Sequence, residues 1–131
     1  MKILICGDRH WKNKKLIEEA VKQYKPTLII EGGAMGADHI AGLIAKEKNI
    51  PLKEFFPDWM SHGKAAGPIR NKQMLVEGVP DMVIAFHNDL AASKGTKNMI
   101  EQATKAGVKV IHIKEEVMND NTKQKNAGKS N

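Results

Sequence analysis

The sequence predicts an α/β fold, a three-layer α/β/α sandwich around a parallel sheet of five strands. Five short apolar runs, rich in Val, Ile, Leu and Phe, alternate along the chain with stretches that carry apolar residues at helical spacing. The runs are mostly continuous rather than alternating, which is typical of strands that are covered on both faces. Because this order of elements joins parallel strands by right-handed crossovers, helices are expected on both faces of the sheet.

Each element is expected where its own periodicity is found. The strands are expected at the apolar runs Ile3–Cys6, Thr27–Ile30, Leu52–Phe55, Met82–Phe86 and Lys109–Ile113. The helices are expected where apolar residues recur every three or four positions, at Lys12–Tyr24, Ala37–Lys48, Ile69–Glu77 and Thr96–Ala106. The domain is therefore predicted over residues 1–114, and the polar stretch 115–131 is predicted to be a disordered tail.

The composition is that of an ordinary globular domain. With 131 residues, 41% of them hydrophobic, the chain is long enough to bury a core without disulfides or a metal. Its single cysteine, Cys6, is expected to be a core thiol in a reducing cytoplasm. No apolar run approaches the roughly 20 residues that span a bilayer, and the N-terminal MKILICGD is typical of a first strand rather than of a leader. No membrane partner is expected.

The charge favours an anionic partner. The net charge is +6 and the isoelectric point is about 9.4, which suits nucleotides or nucleic acid. Several lysines fall on the first helix, however, where a solvated helix face is the commoner explanation. Aromatic residues make up only 5% of the chain and there is no Arg-rich stripe, which argues against nucleic acid.

The residues of chemical interest follow the strands. Ligands of parallel α/β folds bind outside the carboxyl ends of the strands. After the first four predicted strands come the stretches GDRHW, EGGAMGAD, FPDWMSHGKAAGPIRN and HNDLAASKGT. These four loops are the expected surroundings of a site.

The stretch EGGAMGAD predicts a phosphate-binding loop. Gly32, Gly33 and Gly36 expose backbone amides at the start of a helix, where an anion is stabilised, and Asp38 could cap that helix or bind a sugar hydroxyl. The stretch lacks the GK[ST] ending of a P-loop and follows the second strand rather than the first, unlike the dinucleotide fingerprint. The alternative is a tight turn whose glycines allow close packing.

Two further helix starts favour the same chemistry. Gly67 and Pro68 are followed at once by Arg70 and Asn71, and an arginine can bind a phosphate through two hydrogen bonds. The stretch SKGTKNM begins another helix with small and hydroxyl residues. Three anion-binding helix starts on one edge of a sheet together favour a nucleotide site.

In combination, GDRHW, EGGAMGAD, DWMSHGKAAGPIRNKQM and SKGTKNMIEQA resemble the YspA-type branch of the SLOG superfamily, over Lys2 to Ile113. That superfamily also contains the Lonely Guy phosphoribohydrolases and the DNA-processing protein A domain. The resemblance implies a Rossmann-like fold that binds nucleotides or nucleotide-derived molecules. Some relatives cleave the N-glycosidic bond of a nucleoside monophosphate, and others sense ADP-ribose-like signals in defence systems of bacteria and their phages. Relatives tend to be dimers or larger.

The resemblance also implies a set of ligand-binding residues. They match the four motifs in order: Gly7, Arg9, Gly32, Gly33, Gly36, Asp38, Asp58, Trp59, Gly67, Arg70, Asn71, Ser93, Gly95 and Thr96. The phosphoribohydrolase branch carries a Glu three residues after the Gly-Thr pair, where this chain has Met99. The usual catalytic carboxylate is therefore missing, and Glu31, Asp38 or Asp58 would have to replace it.

The leading hypothesis is a small-molecule nucleotide site that needs neither a cofactor nor a metal. Trp59, or less favourably Trp11, is a candidate to cover the base; the alternative is that these rings close the core. Cleavage of an N-glycosidic bond and binding of single-stranded nucleic acid are the alternatives. Histidines cluster at the strand ends, but without metal-ligand spacing they are interpreted as polar residues of a crevice. A homo-oligomer is expected, with Met74 and Met99 as an apolar interface.

Overall fold

The computed structural model describes residues 1–115. Five strands and five helices follow one another in the order β1 Lys2–Gly7, α1 Lys14–Tyr24, β2 Leu28–Glu31, α2 Ala37–Glu47, β3 Leu52–Glu54, α3 Trp59–His62, α4 Ala66–Gly78, β4 Met82–Phe86, α5 Gly95–Lys105 and β5 Lys109–Ile113. Short 3₁₀ turns, Gly63–Ala65 and Leu90–Ala92, precede α4 and α5. Except for Glu115, the tail predicted over residues 115–131 lies outside the described residues.

The sheet confirms the predicted fold class. All five strands are parallel and lie in the order β3-β2-β1-β4-β5. The sidedness of β1 follows from strand alternation: Ile3 and Ile5 pack in the cluster that includes α1 and α2, whereas Leu4 and Cys6 pack with α4 and α5. The result is a Rossmann-like sheet with helices on both faces.

The strand order reverses between β1 and β4, because β2 and β3 lie on one side of β1 and β4 and β5 on the other. In open α/β sheets a crevice forms at such a reversal, beyond the carboxyl ends of the strands. The loops that follow β1 and β4 therefore border the crevice, and α5 begins directly behind it. This is the edge at which the sequence places its motifs.

The elements agree with the predicted ones except around β3. That strand ends at Glu54 rather than Phe55, and α4 begins at Ala66 rather than Ile69. Between them lies α3, a single turn that the sequence did not predict. The carboxylate of Asp58 accepts a hydrogen bond from the Ser61 amide (3.1 Å) and so begins this turn. A helix of one turn is too short to show an apolar period.

Two expectations about apolar side chains are wrong. Trp11 is buried, its ring packs against Phe86 with centroids 5.7 Å apart, and its indole Nε1 donates to the Asn13 carbonyl, so it cannot cover a base. Met74 and Met99 are each 1% exposed and pack in the core beneath α4 and α5, so neither can form an interface. No helix within residues 1–115 is long and apolar enough to cross a bilayer.

Candidate functional site

The glycine loop between β2 and α2 folds around two of its own carboxylates. The Gly32 and Ala34 amides donate to Asp38 Oδ2 at 3.0 and 3.2 Å, and the Gly33 amide donates to Glu31 Oε1 at 2.5 Å. Two of the three glycines that the sequence assigned to a phosphate, Gly32 and Gly33, therefore use their amides to bind side chains of this chain. In the first turn of α2 the Ala37 amide donates to the Asp8 carbonyl at 3.1 Å, so the donors left there for an external anion are the Asp38 and His39 amides.

Glu31 is a fully buried acid at the end of β2. Its Oε2 atom has no hydrogen-bond partner among the described residues. Burial, and next the side chain of Glu54 on the neighbouring strand, raise the pKa of Glu31 to about 9. At neutral pH this carboxyl is therefore protonated. Room for it comes from Gly42, where a Cβ atom would lie 3.0 Å from Glu31 Oε2.

Asp38 lies in the first turn of α2 and is 5% exposed. Burial raises its pKa to about 6, opposed by the hydrogen bond from Ala34, the charge of Arg70 and the hydrogen bond from Gly32. At pH 7 it is predominantly ionised. The carboxylate thus holds the glycine loop and balances the nearby guanidinium.

Arg70 reaches from the first turns of α4 to the glycine loop. Its Nη1 donates to the Gly32 carbonyl and its Nε donates to Asn71 Oδ1 at 3.1 Å. Burial lowers the pKa of Arg70, while the Asp38 carboxylate opposes that shift. Two of the five guanidinium N–H donors are used in these bonds, so the side chain keeps donors for an anion.

Asn71 joins α4 to α5. Its side chain is 3% exposed, and its Nδ2 donates to the Gly95 carbonyl at 3.3 Å and to Asn98 Oδ1 at 3.1 Å. Together with Arg70 it ties two separate loops of the carboxyl edge to one helix. The third and the last predicted motifs are therefore in direct contact.

The start of α5 is open. The Ser93 hydroxyl accepts a hydrogen bond from the Thr96 amide at 3.0 Å, and Thr96 is buried. A Cβ atom built at Gly95 would meet no heavy atom of residues 1–115 within 4 Å, outside its own helix and chain neighbours. Lys94 and Lys97 are exposed on either side. Unpaired amides of a first helical turn, open space and two cations together suit an anion.

The two remaining glycines of the first two motifs are required by packing. A Cβ atom at Gly7 would lie 2.2 Å from the Phe86 carbonyl oxygen, and one at Gly36 would lie 2.2 Å from the Asp8 carbonyl oxygen. Gly36 also has a φ of +75°, which side chains rarely adopt. Close approach of β1, β4 and α2 therefore explains both residues without a ligand. Arg9, between them, is exposed at the crevice.

The third motif is divided between two places. Asp58 is exposed and caps α3, and its hydrogen bonds with Ser61 lower its pKa. Trp59 is 58% exposed, and a Cβ atom at Gly67 would lie 3.8 Å from Trp59 Cη2. Within residues 1–115 no hydrogen bond joins Asp58 to Arg70 or Asp38. Of the three catalytic candidates, Glu31 and Asp38 share a loop and Asp58 does not.

The histidines do not form a metal centre in the described part of the chain. His10, His39 and His62 are exposed, and His87 is buried with its Nδ1 accepting from the Asp89 amide. No group of three His, Cys, Asp or Glu side chains in residues 1–115 is placed to hold a metal ion.

Sequence reasoning missed Phe56. Its side chain is 64% exposed, and a Cβ atom at Gly33 would lie 2.4 Å from its ring. The signal was the sequence FFP: strand alternation turns Phe55 into the core and leaves the next ring outside. Phe56 therefore belongs to the same edge as the glycine loop.

The fold and the position of the site define a Rossmann-like domain with its polar groups gathered at the carboxyl edge. The structure resembles DNA processing protein A (DprA) from Streptococcus pneumoniae, with a TM-score of 0.70, 17% sequence identity and 90% of this chain covered. This chain spans about half of that protein (52%), so the likeness is one of fold.

The sequence identifies the family. The sequence model of the YspA, cpYpsA-related SLOG family matches residues 1–62. The chain is also 34% identical over 122 residues to the Gene 61 protein of Mycobacterium phage D29, which covers 86% of this chain and 95% of that protein. This chain belongs to the YspA, cpYpsA-related SLOG family, as its four motifs predicted.

Proposed function

We propose that this protein binds a nucleotide or a nucleotide-derived molecule, such as a nucleoside monophosphate or an ADP-ribose-like signal, at the carboxyl edge of the sheet. The observation that carries the proposal is the open start of α5, where Gly95 faces free space beside two lysines. Asn71 connects that start to Arg70, which keeps donors for an anion.

In this proposal the phosphate lies at the start of α5, within reach of Ser93, Gly95 and Thr96. Asn71 holds that start in position, and the remaining donors of Arg70 bind the phosphate. Arg9 and the first turn of α2 add positive potential from the other side of the crevice. Asp38, ionised at pH 7, holds the glycine loop through its Oδ2 atom, so the proposal gives it no contact with the sugar. We further propose a role in nucleotide metabolism or defence in the cytoplasm of a bacterium; the support from the comparisons extends only to a relative encoded by a phage of bacteria.

We propose binding rather than hydrolysis. Met99, at the position of the missing carboxylate, is buried in the core. The three carboxylates that could replace it are engaged: Glu31 and Asp38 with loop amides and Asp58 with Ser61. An N-glycosidase would need one of them to leave its partner and approach the sugar.

Gly95→Ala provides a sharp test of the site. The added methyl group has free space in the unliganded protein, and Ala favours a helix over Gly by about 0.5–1 kcal/mol, so the variant should fold at least as stably as the wild type. We expect it to weaken binding by about tenfold or more, since the methyl group holds a phosphate away from the backbone. Calorimetric titration with the four nucleoside monophosphates, ADP-ribose and cyclic ADP-ribose measures this.

Gly67→Ala is the matched variant, because its Cβ atom would make only an ordinary contact with Trp59, 3.8 Å away. Loss of binding in Gly67→Ala but not in Gly95→Ala would move the phosphate from α5 to α4. Absence of binding to every ligand of the panel would refute the proposed function.

Single-stranded nucleic acid is the second candidate, favoured by the net charge of +6. The structural relative is named a DNA processing protein, and its likeness to this chain extends only to the fold. A nucleic-acid site predicts retention of oligonucleotides on a filter at low salt that declines steeply with added salt. No retention at low salt would eliminate it.

We also propose that copies of this chain associate. The buried methionines cannot mediate this, but Ile69 and Val76 are exposed on α4 and line an open groove of about 560 Å³ between α4 and α5. Light scattering at micromolar concentration should report a mass above 14.5 kDa. A monomer mass would contradict the proposal.

A further inference from the structure

The Phe56 ring lies against the glycine loop at the carboxyl edge of the sheet. A Cβ atom at Gly33 would lie 2.4 Å from ring atoms Cδ1 and Cε1 of Phe56, so the ring rests directly on this glycine. A Cβ atom at Gly32 would lie 2.5 Å from Nη1 of Arg70. The ring and the guanidinium therefore lie over adjacent residues of one loop.

The backbone of Phe56 is restrained on both sides. Phe55 is buried, and its amide donates to the Glu31 carbonyl at 3.0 Å. Pro57 follows, and a residue before proline is confined to an extended backbone. The ring is thus held at the loop although it is 64% exposed and contributes little to the core.

A second exposed aromatic residue accompanies it. Trp59, 58% exposed, begins α3 three residues later and contacts the glycine-rich start of α4 through Gly67. The chain has six aromatic residues, two Trp, one Tyr and three Phe, and these two lie in one connection, between β3 and α4. Large apolar side chains that are exposed close together are typical of a binding site, whereas single exposed ones are common on any protein.

We propose that Phe56 stacks on the base of the bound ligand, so that the site selects nucleotides with a planar base over bare sugar phosphates. The inference rests on the proposed function. It assigns a partner to the base, which the proposed phosphate contacts do not bind. The neighbouring guanidinium and ring supply, over adjacent residues, a cation for the phosphate side and an aromatic face for the base side. A sugar phosphate would leave that face uncovered.

The test compares AMP with ribose 5-phosphate by calorimetric titration. Because a stacked base contributes about 1–3 kcal/mol, Phe56→Ala should lower the affinity for AMP by about 5- to 150-fold. It should leave the affinity for ribose 5-phosphate unchanged, and Phe56→Trp should retain AMP binding. Leu43→Ala is the matched control, since Leu43 is 41% exposed on α2, beyond its first turn, and has no part in the proposed site.

The outcomes are distinguishable. Wild-type affinity for AMP in Phe56→Ala, with AMP and ribose 5-phosphate bound equally, overturns the stacking role and leaves the phosphate site standing. Failure of both ligands to bind the wild type overturns the proposed function and this inference together. Binding of single-stranded oligonucleotides that depends on Phe56, without binding of AMP, overturns the mononucleotide assignment.

Discussion

Glu31 is the residue whose environment departs furthest from that of an ordinary surface acid. It ends a strand with its whole side chain buried, and one of its oxygens binds the glycine loop while the other has no partner among the described residues. An ionised carboxylate in that position would be strongly disfavoured, because burial removes its hydration. The protein therefore holds a proton there that the unfolded chain releases.

This proton makes stability depend on pH. The pKa of Glu31 rises from 4.5 to about 9 on folding, so the native state binds more protons between these values and the free energy of unfolding falls as pH rises. We expect the wild type to lose stability from pH 6.5 to pH 9, by at most about 1.4 kcal/mol per pH unit. Urea unfolding followed by circular dichroism measures it. The window excludes Asp38, whose pKa is about 6.

Glu31→Gln should flatten this dependence, because the amide stays neutral and can still accept from Gly33. Glu77→Gln removes an exposed carboxyl on α4 and should leave the wild-type dependence intact. A dependence in Glu31→Gln as steep as that of the wild type would show that another group carries the proton.

Val79 has a strained backbone conformation. It caps α4 with a φ of +47°, a left-handed conformation that is a true outlier for a β-branched side chain, and its side chain is 56% exposed. Relief of that strain exceeds the extra backbone freedom of Gly in the unfolded chain, so Val79→Gly should stabilise the protein by about 0.5–1 kcal/mol.

Asn49, with a φ of +57°, is the control for Val79. Asn tolerates the left-handed region, so Asn49→Gly should change the free energy of unfolding by much less. Equal gains in both variants, measured by urea unfolding, would argue against strain at Val79.

At the scale of elements, α4 fixes the geometry of the carboxyl edge. Arg70 holds the loop after β2, and Asn71 holds the start of α5. These bonds explain why residues far apart in sequence meet at one place. They also explain why the contacts at the carboxyl edge could not be predicted from the sequence. The sequence indicates where helices begin, but not which loop each side chain reaches.

Asn71→Ala should loosen this connection. It removes the partners of the Arg70 Nε and of the Gly95 carbonyl. Both hydrogen bonds are partly buried, and at about 0.5–1.5 kcal/mol each they contribute about 1–3 kcal/mol together. We expect a loss of that size in the free energy of unfolding, together with weaker nucleotide binding. Gln73→Ala, an exposed amide on the same helix, should change neither. An unchanged stability in Asn71→Ala would mean that α4 and α5 are held by their apolar contacts alone.

At the scale of the whole molecule, the strands and the four long helices were predictable because apolar periodicity reports burial directly. The single turn of α3 carries no period, and the contacts of the glycine loop depend on carboxylates that turn inward. Glu31 is an example: the sequence offered it as a catalytic acid, but room beside Gly42 lets it fold under the loop. Trp11 is wrong as a base-stacking candidate for a similar reason, because its side chain packs in the core cluster that includes α1 and α2.

The whole site also bears on catalysis. Without a free carboxylate beside the sugar, cleavage loses a group that contributes about 10²- to 10⁴-fold in rate. We therefore expect chromatography to detect little or no free base after incubation with each monophosphate and with ADP-ribose. Rapid release of base that disappears in Asp38→Asn, with stability unchanged, would identify Asp38 as the replacement acid and the protein as a hydrolase.

The strand order also determines which strands could pair with those of another molecule. It leaves β3 and β5 at the two edges, and unpaired edge strands invite the addition of further strands. Here β3 is only three residues long and exposes Lys53 and Glu54, while β5 exposes Lys109 and His112. Short, charged edges of this kind oppose open-ended fibre formation. The proposed association of copies is therefore expected at the helical faces rather than at the strand edges.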